Sequence, residues 1–489
     1  MDFLDPRKTR AHHRRLVVGY VFLAIGVALG TSLLVRAASG FGYDTKTGEI
    51  VENGLIFVDS HPGNAQITIN GVYSGENTSA RKVLPAGEYR LKLSKQGYRD
   101  WSRITILQEH TVAHYVYPFL FPNSLSNKSL KNYPTSPKLI TISPDRHWLV
   151  VASSDETVWE VFDTTKPAQS PTLISVPGGV LSPSTTPSTL KLVEWSSDNN
   201  NLLIERTFSG GVEFIVINRD KPEESFNVNT KFALTPQEVV LKDKKVSKLY
   251  VLGADKSLRI ANIDNSSVAQ PILTDVIAFK SYGNDLILYI TTSKTPGKAW
   301  VKVYENERTY NLIQVATSDK YLLDLTKFQG NFYYAIGGNK ASAVSLFKDP
   351  MDALKDTQIV KAQPFLAMRL VGAEKLSFSA NARFIVAESG QNFVGYDLED
   401  KQYYRYNITS QILVPAVWMD GHRLISSSGG KVFVMDYDKT NQQLLSPTLL
   451  PDGAYFDRDY ETMFTLTSLG SGFDLNAVEL RAGEDLPQQ

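Results

Sequence analysis

Asp457, Asp459 and Glu461 alternate with Arg458 and Tyr460 near the end of the chain, and three carboxylates so spaced could gather the oxygen ligands of a calcium ion. No glycine follows where a calcium loop makes its sharp bend, so a solvated turn is the plainer reading. His110 and His114 would share one face of a strand, but four strand residues separate them by about 13 Å, too far to bind one metal. His147 and His422 occupy equivalent polar turns, Asp145-Arg146-His147 and Asp420-Gly421-His422, which suits a structural role better than that of a base beside a serine. The chain carries no Gly-x-Ser-x-Gly elbow, phosphate loop, His-Glu-x-x-His or dinucleotide fingerprint. It has no cysteine, which removes disulfides, thiolate metal sites and cysteine nucleophiles together. The expectation is therefore no catalytic residue and no cofactor. Acids from distant segments could still converge in a central channel, the arrangement a glycosidase needs.

The elements that would position such groups begin with a hydrophobic run. Leu16 to Val35 are twenty residues without a charge, which as a helix span a hydrocarbon core of about 30 Å. Arg7, Lys8, Arg10, Arg14 and Arg15 precede the run, so the positive-inside rule predicts a cytoplasmic N-terminus and a body outside. Cleavage as a signal peptide after Ala37 is the competing expectation; the run exceeds the usual length of a signal h-region. Lys plus Arg total 51, as do Asp plus Glu, so the molecule is neutral and lacks the basic footprint that nucleic acid demands. The membrane is the expected partner of the helix.

Beyond a polar connector the pattern changes to short alternating strands. Gly54 to Ser60 and Ala65 to Ile69 read as strands, Asn70-Gly71 as a hairpin turn, Leu84-Pro85-Ala86-Gly87 as another turn, and Glu88 to Lys95 and Ile104 to Leu107 as further strands. Four or five strands predict a small antiparallel sandwich. Ser60, Pro62, Ala65, Asn70, Gly71, Leu84 to Tyr89, Gly97 and Tyr98 resemble, in that order, the pattern of the PEGA domain over about residues 52 to 118. The name-giving tetrapeptide is here Pro62-Gly63-Asn64-Ala65, and Thr78-Ser79 replaces the usual Thr-Pro. The resemblance implies an extracytoplasmic adhesion or spacer module. The aromatic run His114 to Phe121 reads as packing at a domain junction rather than as a binding surface.

From Lys138 a four-strand unit recurs. Thr141 to Asp163, Val193 to Asn218, Leu376 to Asp397 and Val417 to Asp436 each contain a turn built on Ser-Pro-Asp, Ser-Ser-Asp, Ser-Ala-Asn or Met-Asp-Gly. Weaker copies start near Val246, Ala278, Leu325 and Tyr455, giving eight units of about 43 residues, the size of a propeller blade. The stretch resembles bacterial β-propellers of the WD-repeat-like and Tol-system type. Because the last unit has three clear strands, a segment upstream of Lys138 is expected to supply its fourth. Seven blades result if one weak unit is an insertion. Pro177 to Ser188 reads as an inter-blade loop, and Asp349 to Asp356 as a short helical excursion.

The fold class predicted is mainly β: a transmembrane helix, a small PEGA-like sandwich and a propeller of eight, alternatively seven, four-stranded blades. The divisions are a basic tail at 1–15, the helix at 16–36, a linker at 37–53, the sandwich at 54–120, a connector at 121–137, the propeller at 138–482 and a tail at 483–489. A membrane-anchored scaffold that presents loops to an envelope protein or a cell-wall glycan is the expected function. The alternative is an envelope hydrolase or lyase acting on polysaccharide or peptide at the channel mouth.

Overall fold

The computed structural model describes residues 6–38, 41–43, 50–283, 285–355, 362–411 and 414–480. It divides into a unit formed by residues 1–123 and 482–489 and a larger unit formed by residues 124–481. The first unit opens with helix α1 (Pro6–Ala38), which contains one apolar stretch, His13–Ser32, long enough to cross a membrane. The helix starts ten residues before the expected boundary, inside the segment read as a tail, because Arg7 to Arg15 contain good helix formers and no breaker. Residues 1–5 of that tail, 39–40 and 44–49 of the linker, and the tail 483–489 lie outside the described residues.

The PEGA-like region holds eight strands in two four-stranded sheets rather than four or five. One sheet joins β1 (Phe41–Tyr43), β2 (Ile50–Val58), β5 (Ala80–Pro85) and β8 (Val112–Tyr115); the other joins β3 (Gln66–Ile69), β4 (Val72–Asn77), β6 (Gly87–Ser94) and β7 (Trp101–Leu107). The sandwich is not wholly antiparallel, since β8 runs parallel to β2. β1 and the start of β2 fall inside the expected linker. Ile56, Val58, Ile67, Leu91, Leu93 and Trp101 fill the space between the sheets, as the alternation of inward apolar residues requires. The motif residues have identifiable tasks. Ser60 Oγ donates to Pro62 O and lies 2.7 Å from Thr78 Oγ1, which accepts the Ala65 amide, so one buried hydroxyl pair fixes the Ser-x-Pro turn. Asn70 and Gly71 both have positive φ, the conformation of a tight hairpin, and Asn70 Oδ1 accepts the Arg90 amide across the sheet.

In the second unit the described residues form eight four-stranded antiparallel sheets, numbered here 1 to 8: 139–175, 189–227, 236–268, 276–316, 321–369, 375–407, 417–447, and 455–479 completed by β9 (Ser126–Tyr133). Sheet 3 opens at Pro236, ten residues before the Val246 start read from sequence; the region after Val246 supplies its second strand, Lys248–Gly253. A short helix, Pro350–Lys355, occupies the excursion expected near Asp349.

Middle strands such as Trp148–Ala152 and Phe384–Ser389 are apolar almost throughout, because both faces are covered by neighbouring sheets. The covering goes all the way round. Buried clusters join sheets 1 and 2 (Val150, Trp159, Leu202, Ile215), 2 and 3, 3 and 4, 4 and 5, 5 and 6, and 6 and 7. Between sheets 7 and 8 the Leu449 amide donates to Leu466 O, and Phe464 and Leu475 of sheet 8 pack with Leu149 and Phe162 of sheet 1. A closed ring of radially packed four-stranded sheets is a β-propeller.

The seam is made by β9, which lies within the segment read as a connector. It pairs from Ser126 to Tyr133 with the last strand, Gly472–Glu479. Tyr133 Oη donates to Glu160 Oε2 of sheet 1 at 2.6 Å, and Lys131 also binds the Glu160 carboxylate. Burial and the carboxylate hold the Tyr133 phenol well above its usual range, so it remains a donor.

Deleting residues 126–133 from the full chain is expected to abolish cooperative unfolding of the ring and cause aggregation. Tyr133→Phe, which removes one buried donor, should cost about 1–3 kcal/mol. Urea titration followed by tryptophan fluorescence measures both; a deletion that leaves the transition intact would contradict this role for β9.

Candidate functional site

Each of three turns that begin units follows the same rule. Ser143 Oγ, Ser196 Oγ and Ser379 Oγ accept the amides of Trp148, Asn201 and Phe384, five residues on, at 2.9–3.0 Å. Asp145, Asp198 and Asn381 accept amides two residues on, and Arg146, Asn199 and Ala382 adopt positive φ. These polar residues satisfy backbone groups of the turn. The same logic accounts for the acids first considered for calcium. Asp457 Oδ2 accepts the Thr462 amide at 3.0 Å, while Asp459 and Glu461 are exposed, and no group of three or more His, Asp or Glu among the described residues could hold a metal.

The histidines are dispersed. His110 lies in a turn with φ +56°, while His114 stacks on Phe57 with ring centroids 5.0 Å apart. His147 stacks on Trp148 and its Nε2 lies 3.1 Å from Asp163. His422 packs against Phe384; burial lowers its pKa to about 4 and leaves it neutral at pH 7. In the aromatic run, Tyr117, Phe119, Leu120 and Phe121 are buried within the first unit, with Tyr117 edge-on to Trp101.

What sequence reading missed is a cavity of about 560 Å³ where the opening strands of sheets 2 to 5 meet. Glu194, Glu238, Lys280 and Asp324, one from each of those strands, line it together with Lys244 and Tyr282. Its volume lies in the range of small-ligand sites. Two of the acids are committed to the ring. Glu194 accepts the Leu241 amide of the next sheet at 2.5 Å and binds Lys244. Asp324 accepts the Phe378 amide of the next sheet at 2.9 Å and lies 3.3 Å from Lys280 Nζ. Aromatic donors make comparable stitches: Trp195 Nε1 to Thr141 Oγ1, Trp418 Nε1 to Ser377 Oγ and Tyr455 Oη to Ile140 O.

Glu238 is different. Lys191 near it is already paired with Glu205 at 2.9 Å, and burial pushes the Glu238 carboxyl up to about 7 against the opposing pull of Lys191 and Lys280. The cavity thus holds one proton-exchanging carboxyl among charges already neutralised in pairs. Glu388 in sheet 6 is a second such group. It faces its register partner Lys375 and the Ala416 amide, yet burial still raises it to about 7.

The signal that could have found the cavity is a charge embedded in the strand that opens a unit: Leu-Val-Glu-Trp, Pro-Gln-Glu-Val, Ala-Phe-Lys-Ser and Leu-Asp-Leu-Thr. Only a register between units shows that these charges face one space.

With this geometry in place, comparison with known proteins gives two findings. Residues 53–117 match the PEGA domain family. Among solved structures, the chain is similar to the structure of Dos1 propeller, at 14% identity and TM-score 0.46 over 72% of this chain and 95% of that one. It is also similar to a crystal structure of a eukaryotic initiation factor, at 13% identity and TM-score 0.40 over 69% and 95%, and to Chaetomium thermophilum Raptor, at 14% and 0.40 over 74% and 30%. No curated protein matches the chain. The molecule combines an apolar N-terminal helix, a PEGA domain and a β-propeller.

Folding raises the Glu238 pKa, so between its unfolded value near 4.5 and about 7 the folded chain binds more protons than the unfolded one. Its contribution is favourable below that window and is lost as pH rises through it. Glu238→Gln is expected to flatten this decline and to stabilise the protein at pH 8 by about 1–3 kcal/mol relative to wild type. Urea titrations at pH 4.5 and pH 8 test it; an unchanged pH slope would refute the assignment.

Proposed function

We propose that this chain is a membrane-anchored scaffold of the cell envelope, with α1 in the membrane, its N-terminus in the cytoplasm, and the PEGA domain and propeller outside. The observation that carries the binding reading is the commitment of the cavity's charges. Glu194 and Asp324 each spend one oxygen on a backbone amide of the neighbouring sheet and another on a lysine, so they hold the ring rigid instead of facing a substrate. A stiff frame with many inter-strand loops suits recognition of a protein or glycan partner. The five basic residues before the apolar run from Leu16 and the PEGA match support the placement.

A second reading rests on Glu238. A carboxyl near pKa 7 beside other carboxylates is the kind of pair that divides acid and base roles, and it would suit a hydrolase or lyase acting on polysaccharide or peptide. Binding is preferred because the other acids are already engaged.

The absence of native cysteine makes topology directly testable. A cysteine introduced at Ser170 should react with a membrane-impermeant maleimide in intact spheroplasts, whereas one at Thr9 should react only after lysis. The opposite pattern would overturn the orientation. The purified full chain should also bind cell-wall sacculi or envelope proteins without degrading them; turnover abolished by Glu238→Gln would replace the scaffold reading with the enzymatic one.

A further inference from the structure

The outer strands of sheets 5 and 6 carry a surface unlike the rest of the ring. Leu366–Arg369 is the outermost strand of sheet 5 and Gln402–Asn407 that of sheet 6, so among the described residues each pairs with a neighbour along one edge only. Two adjoining cavities, about 410 and 490 Å³, lie between these strands and share Leu370, Val371 and Arg405 as walls. Along the first strand and its flanks, Phe365, Ala367, Arg369 and Val371 alternate outward, while Tyr403, Arg405 and Asn407 alternate on the second. Phe365, Val371 and Tyr403 are 44%, 76% and 41% exposed. The other exposed large apolar side chains of the propeller are spread over sheets 1, 2, 4, 7 and 8. Phe365 packs edge-on against Tyr396, the register partner of Tyr403, which places the apolar residues of both strands in one patch.

The charge of the groove is one-sided. Arg369 and Arg405 are both exposed, and neither makes an ion pair or hydrogen bond among the described residues. Among the described residues, no Asp or Glu lines either cavity. Several other arginines of the ring are engaged, Arg206 by Glu156 and Glu213, Arg383 by Asp397 and Asp400, and Arg259 by Asp255, while Arg308 and Arg458 are exposed and, among the described residues, unpaired like the two of the groove. Two unengaged guanidiniums on facing strands present fork-shaped donors that match carboxylates.

We propose that this groove docks an extended acidic polypeptide segment whose groove-facing side chains, every second residue, include both carboxylates and apolar groups. The free strand edges offer a main-chain ladder, which a peptide can extend and a glycan cannot. Every second side chain of such a strand faces the groove, so carboxylates at those positions meet Arg369 and Arg405 and apolar side chains at those positions meet Phe365, Val371 and Tyr403. An acidic polysaccharide would meet the charges and leave the apolar residues uncovered. The inference rests on the scaffold reading and names the chemistry of its partner.

The test uses the full chain in detergent and a fluorescent heptapeptide, Val-Ser-Glu-Ser-Glu-Ser-Val, with its lysine counterpart and polygalacturonate as comparators. The acidic peptide should bind, weaken as salt is raised, and lose about tenfold or more of its affinity in the R369A/R405A variant, while R308A, at an exposed arginine on another sheet, leaves it unchanged. Both arginines are exposed, so the variant should melt as wild type does, and a matching melt is part of the result. Equal binding of the lysine peptide, an unchanged affinity in the double variant, or arginine-dependent binding of polygalacturonate without the peptide would each overturn the proposal. Photocrosslinkers at Tyr403 and at Ser170 in intact cells separate the two levels of failure. Partner capture at position 170 alone leaves the scaffold reading standing and refutes the groove; capture at neither, with no peptide binding, refutes both.

Discussion

The pairing of β9 with the last strand is the constraint on which the rest of the propeller depends. A single four-stranded sheet of this sequence exposes two apolar faces and has to be covered on both sides. Seven of the sheets are continuous in the chain, but sheet 8 is completed only when Ser126–Tyr133 returns to Gly472–Glu479, over three hundred residues away. Such a contact carries a large loop-closure entropy and no local propensity to favour it. What holds it is the ladder plus the buried Glu160, which receives Tyr133 and Lys131 across the seam from sheet 1. An unclosed ring would leave strand edges free to template association.

Closure dictates where charge can go. The middle strands are buried on both faces and mostly take Val, Ile, Leu and Phe, so most charged side chains lie in turns, outer strands and the opening strands near the axis, and middle-strand charges such as Glu160, Arg206 and Glu213 are paired. There the acids stitch one sheet to the next, as Glu194 does with Leu241 and Asp324 with Phe378. The buried ion network between sheets 1 and 2 is hydrogen-bonded on both its charged partners. Arg206 binds Glu156, Glu213 and Ser182 O, and Asn227 binds Glu213 and Val180 O, which pins the Pro177 to Ser188 loop against sheets 1 and 2.

The turns and apolar strands were legible in the sequence because they obey local rules. Ser-x-Asp turns and strings such as Trp-Leu-Val-Val-Ala announce themselves over five to eight residues. β9 was not legible as a strand, since Ser-Asn-Lys-Ser-Leu-Lys-Asn-Tyr lacks apolar alternation and is recruited by its partner's free edge. Only the shortage of a fourth strand in the last unit pointed upstream. Sheet 3 was displaced in the reading because Pro236–Leu241 begins with Pro and Gln and resembles a loop. The cavity and the outer groove were invisible for a shared reason: each is assembled from one or two residues per sheet, and their convergence is a property of ring geometry.

These two surfaces obey different electrostatics, which allows their roles to be separated. Glu238 and Glu388 are held near pKa 7 chiefly by burial, so small pH changes around neutrality alter the charge inside the ring. Arg369 and Arg405 are exposed, which makes their attraction sensitive to salt. A partner held by the outer groove would therefore release as ionic strength rises. A ligand held in the cavity through Glu238 would respond instead to pH around neutrality. The distinction follows from desolvation: the ring's interior withdraws carboxylates from water and moves their titration to neutrality, while its rim leaves guanidiniums in water, where salt screens them.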